Sequence, residues 1–292
     1  MLPGEVLKQI RRIQIHTSRM VNDVFAGQYQ SVFKGRGMEF DEVREYQPGD
    51  EIRSIDWNVT ARMGHPYIKK FVEERQLTIM LVVDLSASSQ FATVNKLKSE
   101  LAAELSAVLA FSAIRNNDRV GLIIFTDRIE KFVPPKKGIN HVLRVIREVL
   151  YFKPEGRGTD IALAIEHLNR VTTRRTVSFL ISDFMAEGYK KPLKAASKRH
   201  DIVAIKIVDP REEALPEVGM LELEDAETGE RLSINTGDKR LRGDYSRLTS
   251  KIAEETDRLL KSINVDNITI RTDMPYIKPL VAFFRMRERR LR

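Results

Sequence analysis

Four stretches of this chain read as near-continuous apolar runs: QLTIMLVVD (76–84), RVGLIIFTD (119–127), TVSFLISDF (176–184) and DIVAIKIVD (201–209). Runs of that length, apolar at nearly every position, suit strands buried on both faces of a parallel sheet. Between the first two, the segment from Thr93 to Arg115 carries Leu97, Leu101, Leu105, Val108 and Leu109 at helical spacing. The alternation continues with a short strand IEKFVPP, helices beginning near Gly138 and Thr159, and a helix over 189–199. A charged helix from about Asp238 to Ser262, a strand NITIRTD and a final helix from Tyr276 complete it. Repeated strand–crossover–strand units predict an α/β fold, a doubly wound, mostly parallel sheet flanked by helices. One interruption, MLELEDAETGERLSIN (220–235), reads as a hairpin with Thr228-Gly229 near its turn.

The first 75 residues differ. A helix is expected over residues 4–24, followed by a segment rich in turns, charges and aromatics with no helical period. Its Pro48-Gly49 pair suits the centre of a type II turn. This gives an expected division into an irregular, β-leaning appendage (1–75) and an α/β domain (76–292) with a hairpin insertion near 220–235. Within the appendage, Arg44, Arg53 and Arg62 alternate with Glu39, Asp41, Glu42, Asp50, Glu51 and Asp56, as in a salt-bridged clasp. Trp57, the single tryptophan, is expected to be a packing anchor.

In open α/β sheets the loops leaving the carboxyl ends of the strands form the ligand crevice. Three oxygen-bearing signals fall there. Asp84-Leu-Ser86-Ala-Ser88 follows the first strand, GRGTD brings Thr159 to the start of a helix, and Asp183 ends the strand LISD. Each has a purely structural reading: Ser88 or Ser89 can cap a helix, Thr159 is a natural N-cap, and a strand-end Asp can open a turn. Their occurrence at corresponding ends of the sheet favours one shared site. Two carboxylates and three hydroxyls, without sulfur or imidazole, suit Mg²⁺ or Mn²⁺.

The DxSxS, Thr and Asp elements resemble the metal-ion-dependent adhesion site of von Willebrand factor A domains, and the strand–helix order agrees. The resemblance implies that Asp84, Ser86, Ser88, Thr159 and Asp183 surround Mg²⁺, with a sixth ligand supplied by a partner's Asp or Glu. A narrower resemblance covers almost the whole chain. GRGMEFDEVREYQPGDEIRSIDWNVTAR (35–62), DPREEALPEVG (209–219) and the C-terminal YIKPLVAFFRMRERR are similar to an uncharacterised bacterial and archaeal family, domain of unknown function fifty-eight. That family has a von Willebrand A-like domain and is often encoded beside MoxR-type AAA+ ATPases. It implies an adaptor or assembly factor working with such an ATPase.

Other function classes are weaker on the residues. With no cysteine, disulfides, thiolate metal sites and thiol catalysis are absent, which suits a reducing compartment. The N-terminus mixes charges and reads as neither signal peptide nor anchor. No apolar run approaches the roughly 18 residues of a membrane span, so a cytoplasmic protein with no integral membrane segment is expected. The net charge of +8 comes from 49 basic residues spread among 41 acids. No nucleic-acid motif accompanies it, and nucleic acid is not the expected partner. None of the five histidines lies in a motif that would activate Ser86 or Ser88, and there is no Walker loop. The protein is therefore read as a binding module and not an enzyme. The alternative is a metal-dependent nuclease or phosphohydrolase using Asp50, Asp56, Glu73 or Glu74 with Lys69.

Overall fold

The computed structural model of the chain describes residues 39–72, 76–91 and 96–291, the side chains at 39–42, 69–72 and 291 excepted. The helix expected over 4–24, the carboxylates of Glu39, Asp41, Glu42, Glu73 and Glu74, and the Lys69 ammonium lie outside the described residues. The chain divides into two compact units, with a boundary in the sequence between Leu77 and Thr78.

In the first unit, β1 (Glu39–Glu45) pairs antiparallel with β2 (Tyr67–Val72), with a bulge between Phe40 and Glu42. Between them lie a 3₁₀ turn (Ile52–Ser54) and a short helix α1 (Trp57–Met63). The Pro48-Gly49 turn forms as its residues require: Gly49 takes φ 110° and the Asp50 N–H donates to the Gln47 carbonyl. Helix α1 is absent from the sequence reading, because its start is set by a single local cap. Asp56 accepts from the Asn58 and Val59 amides, and Gly64 closes the helix in the left-handed region. The packing role expected of Trp57 is not observed. Placed at the first position of this exposed helix, its ring is 67% accessible.

The second unit holds a six-stranded sheet. Its strands in chain order are β3 (Thr78–Asp84), β4 (Arg119–Phe125), β5 (Ile129–Lys136), β6 (Val177–Ser182), β7 (Asp201–Val208) and β10 (Asp266–Arg271). In space the order is β10-β7-β6-β3-β4-β5. Every pairing is parallel except β4 with β5. The exception follows from chain length. Only Thr126–Arg128 separate β4 from β5, enough for a turn and too few for a crossover. Pro134 and Pro135 are tolerated in β5 because it is an edge strand.

The connecting helices are α2 (Lys98–Arg115), α3 (Ile139–Tyr151), α4 (Ile161–Val171), α5 (Lys190–Ser197), α6 (Pro210–Glu213), α7 (Lys239–Ser262) and α8 (Ile277–Leu291). Met80, Val82, Ile123, Leu180 and Ala204 of the strands pack with Ile161, Ile165, Leu193 and Leu260 of the helices in one buried cluster. Each fully buried aliphatic side chain of this kind contributes roughly 1.5–3 kcal/mol. The small hairpin of β8 (Met220–Glu224) and β9 (Arg231–Asn235) forms as the sequence predicts, with Gly229 at φ 75° in its turn. Among the described residues no helix is long and apolar enough to cross a membrane.

The strand order positions the site. From β3 the chain crosses to β4 on one side, whereas from β6 it crosses to β7 on the other. The two connections part above the carboxyl ends of β3 and β6, which opens the crevice where doubly wound sheets place ligands.

Candidate metal centre

Asp84 is the last residue of β3 and is buried. Its Oδ1 accepts the Ser86 amide at 2.9 Å, which turns the backbone out of the strand. Its Oδ2 accepts the hydroxyl of Ser182, the last residue of β6, at 2.6 Å. The hydroxyls of Ser86 and Ser88 lie side by side, 3.1 Å apart. Ser89 donates to the Ser86 carbonyl at 2.7 Å within a 3₁₀ turn over Ala87–Gln90. The capping alternative for Ser88 is not what forms, since α2 begins ten residues later, at Lys98.

Asp183 follows directly on β6 and is also buried. Its Oδ1 accepts the Met185 amide at 3.2 Å. Between them Phe184 is held at φ 59°, a left-handed conformation unusual for a bulky residue. Its ring is fixed edge-on against Tyr189, with centroids 5.9 Å apart. Such local strain is commonest where a side chain must be aimed. Asp183 Oδ2 accepts from the Lys98 ammonium at 3.1 Å, and the same ammonium bonds Glu212. Glu212 is fixed in turn by a capping box on α6. Asp209 accepts from the Arg211 amide and Glu212 accepts from the Asp209 amide. Asp84, Ser88, Ser89, Lys98, Ser182 and Asp183 line one cleft together with Ala102, Ile181 and Ile207.

Thr159 comes from a loop held at several points. Gly156 approaches Thr126 and Asp127 so closely that an added Cβ would stand 2.2 Å from Thr126 Oγ1 and 2.1 Å from Asp127 Oδ1. Glu130 accepts the amides of Glu155 and Gly156 at 3.0 and 2.7 Å. The loop is joined to the Asp84 turn by a bond from the Ala87 amide to the Arg157 carbonyl, 2.9 Å. The N-cap of α4 is Asp160 and not Thr159. The Thr159 hydroxyl is thereby released from capping, and it donates to Glu227 at 2.8 Å.

Asp84 and Asp183 thus converge, Ser86 and Ser88 stand beside Asp84, and Thr159 sits on an adjoining loop. Burial, and secondarily the charge of Asp183, push the Asp84 carboxyl up to about 6 against the opposing bonds from Ser182 and Ser86. Among the described residues no lysine or arginine pairs with Asp84. For Lys98, burial alone would favour the neutral amine, but Asp183 and Glu212 outweigh it and raise its pKa. The one ammonium thus meets Asp183 and Glu212, and the nearby carboxylate of Asp84 has no cation paired with it among the described residues. Such a cluster is short of positive charge, and its oxygen donors fit a hard divalent cation held by two carboxylates and hydroxyls. No set of three or more His, Cys, Asp or Glu suited to a metal occurs among the described residues.

Two residues of the enzymatic alternative, Asp50 and Asp56, have structural tasks. Asp50 is held by both terminal nitrogens of Arg44, at 2.7 and 2.9 Å, and Asp56 caps α1. No histidine among the described residues hydrogen-bonds Ser86 or Ser88. His141 is bonded to the Val120 carbonyl, and His200 is buried among Thr172 and Thr176.

Sequence reasoning missed four contributors: Ser182, Lys98, Glu212 and Glu227. Two had legible signals. The Asp-Pro-x-Glu order in DPREE is a capping box that fixes Glu212, and Ser182 directly precedes Asp183. Lys98 and Glu227 reach the site only through tertiary contacts.

Comparison with known proteins agrees with the topology. The chain is 32% identical over 283 residues to the uncharacterised protein Rv1480 of Mycobacterium tuberculosis (strain ATCC 25618 / H37Rv), spanning 96% of this chain and 89% of that one. The crystal structure of an aerotolerance-related membrane protein from Bacteroides fragilis NCTC 9343 superposes with a TM-score of 0.50 at 17% identity, covering 73% of this chain and 99% of that one. A looser match, at TM-score 0.37 and 12% identity, is the VWA domain of SpRpn10, covering 71% of this chain and 94% of that one. The fold is α/β, a doubly wound, mostly parallel sheet flanked by helices. Residues 42–255 match the family described as "Protein of unknown function DUF58", and the chain belongs to that family.

Proposed function

We propose that this protein is a divalent-cation-dependent protein-interaction module. In this reading Asp84, Ser86, Ser88, Thr159 and Asp183 surround Mg²⁺, or Mn²⁺, and an Asp or Glu of a protein partner completes the shell. The observation that carries it is the meeting of two strand-end carboxylates with a pair of adjacent hydroxyls, 3.1 Å apart, at the switch point of the sheet. A bound ion would supply a directional Lewis-acid contact for the incoming carboxylate. The module acts in the cytoplasm as an adaptor or assembly factor with a MoxR-type AAA+ ATPase. Residues 1–75 form its family-specific appendage, and 76–292 form the von Willebrand A-like domain. In this reading it is a binding module and not an enzyme, and purified protein is expected to hydrolyse neither ATP nor nucleic acid with Mg²⁺ or Mn²⁺.

Calorimetric titration with Mg²⁺ or Mn²⁺ tests the core of this reading. Binding to the wild type, and its loss in Asp84→Ala and Asp183→Ala, are expected. An unchanged metal response in both variants would remove the site. Pull-down of the ATPase with and without EDTA, with Asp84→Ala as control, tests the partner separately.

A further inference from the structure

The β8–β9 hairpin does more than interrupt the sheet. Its turn is folded by Asp225, whose Oδ1 accepts the amides of Glu227 and Thr228 at 2.8 and 3.0 Å, while the Gly229 amide returns to the Asp225 carbonyl at 2.8 Å. Of residues 225–230 only Glu227 is half-buried, and the others are exposed. The turn therefore points one carboxylate inward, and Oε1 of that carboxylate accepts the Thr159 hydroxyl at 2.8 Å. No lysine or arginine among the described residues pairs with Glu227, so an ion pair does not account for its position.

The chemistry of a hydroxyl ligand gives the position a purpose. A threonine oxygen that turns a lone pair toward a cation keeps its proton, and that proton needs an acceptor. A carboxylate is the strongest acceptor a protein can offer, and outer groups of this kind fix the orientation of metal ligands. The loop bearing Thr159 is already rigid at Gly156 and Asp160, which leaves rotation about the Thr159 side chain as the freedom still to be removed.

We propose that Glu227 is the positioning residue for Thr159, so that the β8–β9 hairpin is a working part of the metal centre. Accepting the hydroxyl proton, Glu227 aims the oxygen lone pairs of Thr159 at the ion. This inference rests on the metal-dependent reading above.

Mn²⁺ titration of the full chain, followed by the electron paramagnetic resonance of the free ion, tests it. Glu227→Ala is expected to weaken Mn²⁺ binding roughly tenfold. Its melting temperature in EDTA should match the wild type, because the residue sits at a hairpin tip. Glu227→Gln, whose carbonyl oxygen still accepts the hydroxyl proton, should recover most of the affinity. The double variant with Thr159→Ala should bind no more weakly than Thr159→Ala alone, as expected when two residues act through one contact. Wild-type affinity in Glu227→Ala would overturn the inference and leave the metal site standing. A loss as large in Glu227→Gln as in Glu227→Ala would also overturn it, since the charge and not the hydroxyl geometry would then matter. Absence of any Mn²⁺ binding that depends on Asp84 would overturn both the inference and the reading beneath it.

Discussion

Lys98 and Asp183, 85 residues apart in the chain, form a buried ion pair of 3.1 Å at the carboxyl end of the sheet. Lys98 is the first residue of α2, where the helix dipole disfavours a cation. Its placement there is tolerable because Asp183 and Glu212 both meet its ammonium. The lysine thus offsets part of the negative charge gathered at the ends of β3 and β6 and leaves Asp84 without a cationic partner among the described residues.

Removing that cation should be costly. Lys98→Met strands Asp183 and Glu212 in a poorly solvated cleft, and losing one partner of a buried pair costs about 3–5 kcal/mol. Urea unfolding in EDTA should show a loss of this size. Adding Glu212→Gln should restore part of it, and so should saturating Mg²⁺, because an ion bound only to the folded state stabilises it. A Lys98→Met loss unaffected by either change would mean that the lysine matters through packing alone.

A second group sets the acid response. His200 is buried at the opposite end of the sheet, where its Nδ1 accepts the Thr176 amide at 3.2 Å. Burial, aided by Arg199 and Arg175, pushes its pKa down to about 4 from 6.5. The unfolded chain therefore takes up a proton that the folded chain refuses. The stabilising effect of the neutral ring is complete above pH 6.5 and is lost progressively as the pH falls toward 4. Urea midpoints at pH 7 and pH 5 should separate for the wild type more than for His200→Gln. Equal pH dependence in the two proteins would contradict this assignment.

How much of this was legible depended on the range of the interactions. The strands β3, β4, β6 and β7 were readable because burial on both faces leaves an apolar signature at every position. Asp84, Ser86 and Ser88 were readable because their spacing is local. Trp57 misled, since an aromatic side chain carries no local mark of which way a short helix will turn it. Helix α1 was hidden for a similar reason, being defined by one Asp56 cap and one Gly64 stop rather than by a periodic pattern. Lys98 and Glu227 could not be placed from sequence, because each meets its partner across a crossover or an inserted hairpin.

Gly156 should tolerate no side chain. The Cβ of an alanine would stand 2.1 Å from Asp127 Oδ1 and 3.0 Å from Thr126 Cβ, so more than a flexible side-chain tip must shift. Overpacking of this kind costs about 1–3 kcal/mol. Because the loop also carries Thr159, Gly156→Ala should lower the melting temperature in EDTA and weaken Mg²⁺ binding as well. Gly188→Ala, at a positive φ in open space, is a control for strain without crowding. A Gly156→Ala protein with unaltered stability would show that the contact with Thr126 relaxes freely.

The last prediction concerns how a partner is held. In the proposed complex the carboxylate of a client or AAA+ ATPase enters at the carboxyl ends of β3 and β6, and the wider contact surface supplies most of the affinity. The carboxylate contact is short-ranged, so its removal should alter residence time more than encounter rate. The net charge of +8 acts at longer range and should set the salt dependence of association. EDTA and Thr159→Ala should each accelerate dissociation measured by surface plasmon resonance, with association rates nearly unchanged. Raised ionic strength should do the reverse, slowing association and leaving dissociation comparatively constant. Glu227→Ala should resemble a mild form of Thr159→Ala, because it loosens the hydroxyl without deleting it. Dissociation rates that are equal with and without Mg²⁺ would place the partner elsewhere on the protein and confine the oxygen cluster to a structural role.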